Sequence, residues 1–334
     1  MIVAVSGAGR LLLMAALALF VAPTICPAQE PKAGKIVRIG RLSPLSADAD
    51  ARHLEVFRKG LRDLGWIEGH GFVIEGRFAD GQYARLPELA AELVRQRVDL
   101  ILTGSNPGAL AAKSATSTIP IVMVTTGDPV GAGIVASLSR PGGNITGVTA
   151  LSQALYAKRL ELIKEAVPGV TRVAVLVNPS SVYTAPLLRE KDIAARTLGL
   201  HLPVLEARGP ADFEKAFTTL TAERAGALMV QTDALFITHR RRIVELAARS
   251  RVPAVYGERE SVDAGGLMFY GATLAALYRE AAVYADRILK GARPADLPVV
   301  QPTKLELVIN LKTAKALDLT IPAAVIARAD HLVE

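Results

Sequence analysis

From Lys35 onward, short apolar runs alternate with longer segments in which apolar residues recur every three or four positions. Short apolar runs are typical of buried strands, and the longer spacing is typical of amphipathic helices. The first predicted strand covers 36–42, and the helix predicted over 48–64 has Leu54, Phe57 and Leu61 on one face. Because strands that alternate with helices build parallel sheets, the chain is predicted to be an α/β protein.

The alternation of strands and helices starts a second time after the turn at 140–144. The first set continues with predicted strands at 72–78, 99–102 and 121–124. A helix at 155–166 opens the second set, whose predicted strands cover 173–177, 202–205, 227–230 and 254–256. A chain of 334 residues suits two domains of about 120 to 150 residues each. We therefore expect two similar lobes with a ligand cleft at the carboxyl ends of their sheets.

The N-terminus has the layout of a secretory signal peptide. Arg10 precedes an apolar run at 11–22, and Pro23, Pro27 and Ala28 follow. This run is shorter than the roughly 20 residues that a membrane-spanning helix needs. Cleavage after Ala28 removes Cys26, the only cysteine, which excludes disulfides and thiol catalysis in the mature chain. The residues before Cys26 match a lipidation site poorly, so we expect a periplasmic protein without a lipid anchor.

Composition and charge narrow the possible partners. Half of the residues are hydrophobic and a fifth are charged, which excludes a disordered chain. The net charge of +7 is modest for this length. The densest basic run, 239–242, lies within a helical pattern and indicates a solvated helix face rather than a nucleic-acid site.

Several specific strings are shared with a known family. They are Gly-Asp-Pro-Val at 127–130, Ser-Leu-Ser-Arg-Pro-Gly-Gly-Asn-Ile-Thr-Gly at 137–147, Arg-Val-Ala-Val-Leu-Val-Asn-Pro at 172–179, Ala-Gly-Gly-Leu-Met at 264–268, Gln-Pro-Thr-Lys at 301–304, Glu-Leu-Val-Ile-Asn-Leu-Lys at 306–312 and Leu-Thr-Ile-Pro at 319–322. With them the chain resembles ABC-transporter substrate-binding proteins of the type 1 periplasmic binding protein fold, in the branch that includes tryptophan and tyrosine binders. Coverage is essentially the whole mature chain.

The resemblance implies two Rossmann-like lobes joined by three hinge crossings. Lobe I would then cover 35–149 and 272–295, and lobe II would cover 150–271 and 296–334. The helix at 274–289 would return to lobe I, and the tail at 307–309 would rejoin lobe II.

Polar residues that follow the predicted strands are the candidate ligand contacts in lobe I. Thr103, Ser105 and Asn106 end a strand and start a helix, where hydroxyls and free N–H groups favour a carboxylate. Alternatively, Asn106 only caps its own helix. The loop Ser43-Pro44-Leu45-Ser46 follows the first strand, and Thr125, Thr126 and Asp128 follow the fourth. Of these residues, Ser43, Ser46, Thr125 and Asp128 are predicted contacts. Asp128 precedes Pro129, and Asp-Pro also commonly starts a turn.

In lobe II, acceptor groups follow the strand ends opposite that anion site. They are Asn178, Tyr183, Asp233 and Glu258, and Asp233 is the first choice to hold a ligand ammonium group. An amino-acid zwitterion needs donors at one end, a carboxylate at the other, and apolar walls between them. The predicted walls are Tyr156, Tyr183 and Tyr256, although each tyrosine is equally consistent with a core position.

Enzyme signatures are missing from the sequence. It contains no Gly-x-Ser-x-Gly elbow, no Gly-x-x-x-x-Gly-Lys loop and no close-spaced metal-ligand cluster. We therefore expect no catalysis, metal or cofactor. The predicted function is a monomeric solute-binding protein that delivers an amino acid or related small carboxylate to an ABC permease. The alternatives are a periplasmic ligand sensor for a membrane receptor and a secreted hydrolase.

Overall fold

A computed structural model describes residues 36–125, 127–151, 155–302 and 304–334. The predicted signal peptide at 1–28 and Thr126 lie outside the described residues. Two sheets, each with helices packed on it, make up the described chain. We call the five-stranded sheet and its helices lobe I, and the seven-stranded sheet and its helices lobe II.

Lobe I is a parallel sheet with the strand order β2-β1-β3-β4-β5. Its strands are β1 (Val37–Ser43), β2 (Phe72–Phe78), β3 (Leu100–Gly104), β4 (Ile121–Thr125) and β5 (Ile145–Thr149). Its helices are α1 (Ala47–Asp63), α2 (Leu86–Arg95), α3 (Asn106–Ala115) and, much later in the chain, α10 (Leu274–Leu289). β3, β4 and β5 are buried along their whole length, which accounts for the apolar runs at 100–102 in β3 and 121–124 in β4.

Lobe II has the strand order β12-β11-β10-β9-β8-β6-β7. Its strands are β6 (Val173–Val177), β7 (Val204–Glu206), β8 (Ala227–Val230), β9 (Ala254–Tyr256), β10 (Met268–Gly271), β11 (Glu306–Asn310) and β12 (His331–Val333). Its helices are α4 (Tyr156–Ala166), α5 (Thr184–Leu198), α6 (Phe213–Ala222), α7 (Ala234–Thr238), α8 (Arg240–Arg249), α9 (Arg259–Asp263), α11 (Leu311–Ala316) and α12 (Ala323–Ile326). Only the β10–β11 pairing is antiparallel among the described strand pairs.

The first five strands of each lobe follow the same winding. β7-β6-β8-β9-β10 in lobe II repeats the order β2-β1-β3-β4-β5 of lobe I. In this order the chain moves from the first strand of each lobe, β1 or β6, to a neighbour on one side and then to a neighbour on the other side. In open α/β sheets, ligands bind at this reversal, beyond the carboxyl ends of the strands. The loops after β1 and β3, and those after β6 and β8, are therefore where a ligand site is expected.

The chain passes between the lobes three times. It leaves lobe I after β5, returns after β10 so that α10 packs against α1, and leaves again before β11. The last passage comes later than expected, because the N–H of Thr149 donates to the carbonyl of Val300 (2.9 Å) and thereby ties Val300 to β5. Residues 297–300 accordingly extend lobe I beyond the predicted boundary at 295.

Local sequence explains where these elements begin and bend. Ser46 caps α1 by accepting from the N–H of Ala49 (3.2 Å). Gly147 lies inside β5 with φ +139°, and an added Cβ would be 2.1 Å from the carbonyl oxygen of Met123. Only glycine fits this place, where two strands of the sheet approach closely.

The basic run at 239–242 enters α8, which buries Ile243, Val244 and Leu246 and leaves Arg241 and Arg242 exposed. Arg242 forms an ion pair with Glu214 of α6, as expected of a solvated helix face. Within the described ranges, no helix is long and apolar enough to cross a membrane.

Candidate functional site

A cavity lies between the lobes at the carboxyl ends of both sheets, and we call it the interlobe cavity. The space that holds no protein atom is about 670 Å³, with open solvent at the mouth included. Its lining residues are Arg41, Pro44, Leu45, His53, Tyr83, Gly104, Ser105, Val124, Ala150, Tyr183, Thr232, Asp233, Ala234, Ile237, Gly257, Glu258, Ala272, Leu274, Leu277 and Tyr278. Both lobes contribute, together with residues beside two of the hinge passages.

A buried ion pair forms the floor of the cavity in lobe I. Arg41 donates to both oxygens of Asp50, from Nε (2.8 Å) and from Nη2 (2.6 Å), and its Nη2 also donates to the Tyr278 hydroxyl (2.6 Å). Ser43 donates its hydroxyl to Asp50 Oδ1 (3.0 Å). Burial alone would raise the pKa of Asp50, but the charge and hydrogen bonds of Arg41 outweigh burial and hold that pKa well below its usual range.

An aromatic pair stands beside this ion pair. The ring of His53 is parallel to the ring of Tyr278, with their centroids 5.0 Å apart. Neither ring nitrogen of His53 has a hydrogen-bond partner among the described residues, although Nδ1 lies 3.5 Å from Asp50 Oδ1. Burial raises the pKa of Tyr278 to about 12, so its hydroxyl keeps its proton. The two stacked rings give the cavity a flat wall.

Hydrogen bonds across the cavity hold the lobes together. Tyr83 of lobe I donates its hydroxyl to Asp233 Oδ2 (2.8 Å) and accepts from the N–H of Ala234 (3.2 Å). In the other direction, the Tyr183 hydroxyl of lobe II accepts from the N–H of Asn106 (2.6 Å) at the N-terminus of α3. Leu45 packs in the same cluster as residues of α7. The structure is therefore a closed form.

Asp233 and Asn178 form a hydrogen-bonded network on the lobe II wall. Asp233 Oδ1 accepts from Asn178 Nδ2 (3.0 Å) and from the N–H of Leu235 (3.0 Å), so Asp233 caps α7. Its other oxygen accepts from Tyr83. Both carboxylate oxygens thus already have partners within the protein.

Glu258 lies on the same wall with different partners. Its Oε1 accepts from the Ser261 hydroxyl (2.8 Å), and its Oε2 has no partner among the described residues although the side chain is buried. Burial raises the pKa of Glu258 to about 8. Behind this wall lies Arg159, whose Nε donates to the carbonyl of Tyr270 (2.8 Å) and whose Nη2 is unpartnered within the described chain.

Comparison with known proteins identifies the family of the chain. The family described as ABC transporter substrate binding protein matches residues 38–333. The chain belongs to this family. A tyrosine-binding protein of Clostridioides difficile is 30% identical over 263 residues, which cover 79% of this chain and 75% of that protein.

Solved structures share the fold of this substrate-binding protein. A conserved domain protein from Vibrio cholerae superposes with a TM-score of 0.82 at 29% identity and covers 89% of this chain and all of that one. An ABC domain from Streptococcus pneumoniae in complex with L-Trp has a TM-score of 0.81 at 27% identity and covers 90% of this chain and all of that one. The predicted family and the predicted two-lobed α/β fold are confirmed.

Four of the thirteen predicted contact residues line the cavity of this substrate-binding protein. They are Ser105, Tyr183, Asp233 and Glu258. Tyr183 reaches across the cavity to the N-terminus of α3. Its hydroxyl accepts a hydrogen bond from the N–H of Asn106, which was expected to face a ligand carboxylate. Ser105 accepts from the N–H of Gly108 (3.2 Å) as the cap of α3. The Tyr183 and Ser105 hydroxyls each keep an O–H that can donate.

The other nine lie around the cavity and not among its lining residues. In lobe I, Ser43 serves Asp50, Ser46 caps α1, and Asp128 Oδ1 accepts from the N–H of Val130 (2.9 Å) in an exposed turn. Thr103 and Thr125 are buried at strand ends. The amide of Asn106 donates to the carbonyl of Asp128 (3.0 Å) rather than capping α3.

The remaining three of these nine lie in lobe II. Asn178 binds Asp233. Tyr156 and Tyr256 are buried, and the guanidinium of Arg159 lies 5.6 Å from the ring centroid of Tyr156. The two tyrosines are thus core residues in this form.

Sequence reasoning missed the charged and aromatic residues of the lobe I lining. Arg41, His53, Tyr83 and Tyr278 were not predicted, yet they supply most of its polar and aromatic surface. Arg41 is a charged residue in the buried part of β1, at 39–43, and its position inside a predicted strand was visible in the sequence. Tyr278 belongs to α10, which returns to lobe I late in the chain. It therefore contacts Arg41 although the two residues are 237 positions apart in the sequence.

Proposed function

We propose that this chain is the periplasmic solute-binding component of an ABC importer and that its ligand is an aromatic amino acid. The observation that carries the proposal is the closed interlobe cavity, which both lobes line and which combines flat apolar walls with charged groups. Family membership supports the role, because substrate binding is the property for which the family is described.

The cavity offers separate places for the three parts of an amino acid. The Ser105 and Tyr183 hydroxyls lie at the positive end of α3, where a carboxylate is favoured. The carboxyl groups of Asp233 and Glu258 face the cavity from lobe II and suit an ammonium group. The stacked rings of His53 and Tyr278 suit a flat side chain.

The ligand class also rests on the relatives. One is called a tyrosine-binding protein, and another was solved in complex with L-Trp. The predicted signal peptide would place the mature chain in the periplasm, where a membrane permease would receive the ligand from it. The closed form is consistent with capture by closure, the step that would precede delivery.

A thermal-shift screen of the twenty amino acids on the mature chain tests the ligand class. A ligand at 100 times its Kd stabilises a protein by about 2.7 kcal/mol, which is enough to raise the Tm by several degrees. We expect L-tyrosine or L-tryptophan to give the largest rise. A screen in which neither shifts the Tm contradicts the proposed ligand.

Uptake tests the transport role separately. Removal of the gene for this chain should abolish high-affinity uptake of the radiolabelled ligand, and plasmid-borne wild type should restore it. Unchanged uptake would show that the protein binds its ligand for another purpose.

A further inference from the structure

His53 is a buried histidine whose two ring nitrogens have no hydrogen-bond partner among the described residues. It belongs to α1, and only 3% of the residue is exposed. It also lines the interlobe cavity. A buried polar atom without a partner lowers stability, and in folded proteins nearly all such atoms are paired with protein, ordered water or a ligand. His53 is therefore a candidate for direct contact with the ligand.

Two neighbours hold the imidazole ring of His53 in place. Its face lies parallel to the ring of Tyr278, with the centroids 5.0 Å apart, and the Tyr278 hydroxyl accepts from Arg41 (2.6 Å). At one edge of the imidazole, Nδ1 lies 3.5 Å from Asp50 Oδ1. Because the ring is restrained both on its face and at this edge, the position of Nε2 at the other edge is restrained as well.

The carboxylate of Asp50 determines which nitrogen of His53 carries the proton. Arg41 holds the pKa of Asp50 well below its usual range, so Asp50 is ionised. A negative charge beside Nδ1 favours the proton on that nitrogen, and Nε2 of the neutral ring then carries the lone pair. Nε2 is accordingly a hydrogen-bond acceptor, and no described residue donates to it.

The surroundings of His53 suit the side chain of an aromatic amino acid rather than its charged groups. The cavity residues contributed by α10, which packs on α1, are Leu274, Leu277 and Tyr278. The hydroxyls proposed for the ligand carboxylate lie at the N-terminus of α3, and the carboxyl groups proposed for the ammonium belong to lobe II. The part of the cavity between α1 and α10 is thus left for the aromatic ring.

We propose that His53 Nε2 accepts a hydrogen bond from the side chain of the bound amino acid, and that this contact selects L-tyrosine or L-tryptophan over L-phenylalanine. The inference deepens the proposed function and rests on it. The phenol O–H of tyrosine and the indole N–H of tryptophan can each donate to Nε2. Phenylalanine would leave Nε2 buried and unpaired, and a site built to hydrogen-bond a ligand group discriminates against the analogue that lacks this group.

Two pairs of probes test this contact, and each pair differs by the one donor. L-Tyrosine is compared with L-phenylalanine, and L-tryptophan with L-3-benzothienylalanine, in which sulfur replaces the indole N–H. Calorimetric titration of the mature chain is done at pH 8, where imidazole groups are ordinarily neutral. We expect wild type to favour the donor-bearing member of at least one pair by about tenfold or more.

Asparagine and glutamine at position 53 separate the roles of the two nitrogens. The amide of asparagine takes the place of Nδ1 beside Asp50 and leaves nothing at the place of Nε2. The longer glutamine brings an amide oxygen to the place of Nε2, where it can accept. His70→Asn is the matched control, because His70 is exposed.

The expected effect is on the preference, the ratio of the two affinities within a pair. In His53→Asn the preference should fall to about twofold or less, whereas His53→Gln should keep about fivefold and His70→Asn should equal wild type. Both members of a pair are measured on the same variant, so a change in the fraction of folded protein cancels in the ratio. A histidine that served only as a neighbour of Asp50 would give the same preference in all four proteins.

The outcomes separate this inference from the proposed function. If wild type binds L-tyrosine or L-tryptophan without preference over its partner probe, the contact does not exist although the proposed ligand class stands. If His53→Asn keeps the preference, or His53→Gln loses it as fully as His53→Asn does, Nε2 is not the acceptor. If wild type binds neither L-tyrosine nor L-tryptophan, the proposed function fails and the inference fails with it.

Discussion

Tyr83 spans the two lobes, and its replacement by phenylalanine isolates the contribution of closure to binding. The substitution removes only the hydroxyl that donates to Asp233 Oδ2 and accepts from the N–H of Ala234. Both partners belong to lobe II, so the hydrogen bonds exist only when the lobes are closed. The ring itself can stay in its packing position.

The magnitude follows from the two lost bonds. A hydrogen bond to a charged group contributes about 1.5–3 kcal/mol and a neutral one about 0.5–1.5 kcal/mol. In an open form water would satisfy the freed groups, so we take about 2 kcal/mol as the net loss, toward the lower end. If ligand is held in the closed form, this loss weakens binding by about 30-fold.

Calorimetric titration of wild type and Tyr83→Phe measures this effect, and Tyr284→Phe is the matched control. The Tyr284 hydroxyl is also buried and donates to the carbonyl of Pro298, but both residues belong to lobe I. The control should lower the Tm and leave affinity unchanged. An affinity of Tyr83→Phe within twofold of wild type, or an equal loss in both variants, would refute closure through Tyr83.

Three further predictions concern stability and processing. The pKa of Asp50 in the folded protein lies below the unfolded value of 3.8, so ionised Asp50 stabilises the fold above about pH 4 and this stabilisation is lost as the pH falls through the folded pKa. Asp50→Asn should lower the free energy of unfolding by about 3–5 kcal/mol at pH 7. It should also make the Tm less dependent on pH in the acid range. Gly147→Ala should lower the Tm sharply because of the contact with Met123, whereas Gly209→Ala, with no atom of the described residues within 4 Å of the added Cβ, should not. Equal melting of the two variants would contradict the strand geometry. The exported chain should begin near Gln29, and an intact mass that retains residues 1–28 or carries a diacylglyceryl group on Cys26 would exclude this.

The sequence was most informative about elements whose pattern is local. The strand at 72–78 has the predicted bounds, and the helix expected at 48–64 differs from α1 by one residue at each end. Such elements are governed by apolar periodicity and by caps such as Ser46, which can be seen within a few residues.

The site was less predictable because its chemistry depends on contacts between distant parts of the chain. The rule that ligands bind at strand ends led to Asp233 and Glu258, and both line the cavity. That rule cannot show that both oxygens of Asp233 accept hydrogen bonds within the protein, while Glu258 Oε2 has no partner among the described residues. Likewise, His53 and Tyr278 meet only because α10 returns to pack on α1.

Calorimetric titration of the mature wild type and of Leu274→Trp with L-tyrosine and L-tryptophan tests the central claim, which is that the interlobe cavity binds an aromatic amino acid. Leu274 is half-buried, lines the cavity and begins α10, so a tryptophan there should fill the site while the fold remains. We predict binding of one ligand per wild-type chain, and no binding to a Leu274→Trp variant that still melts cooperatively. Absence of binding to the wild type, or undiminished binding to the filled variant, would contradict the claim.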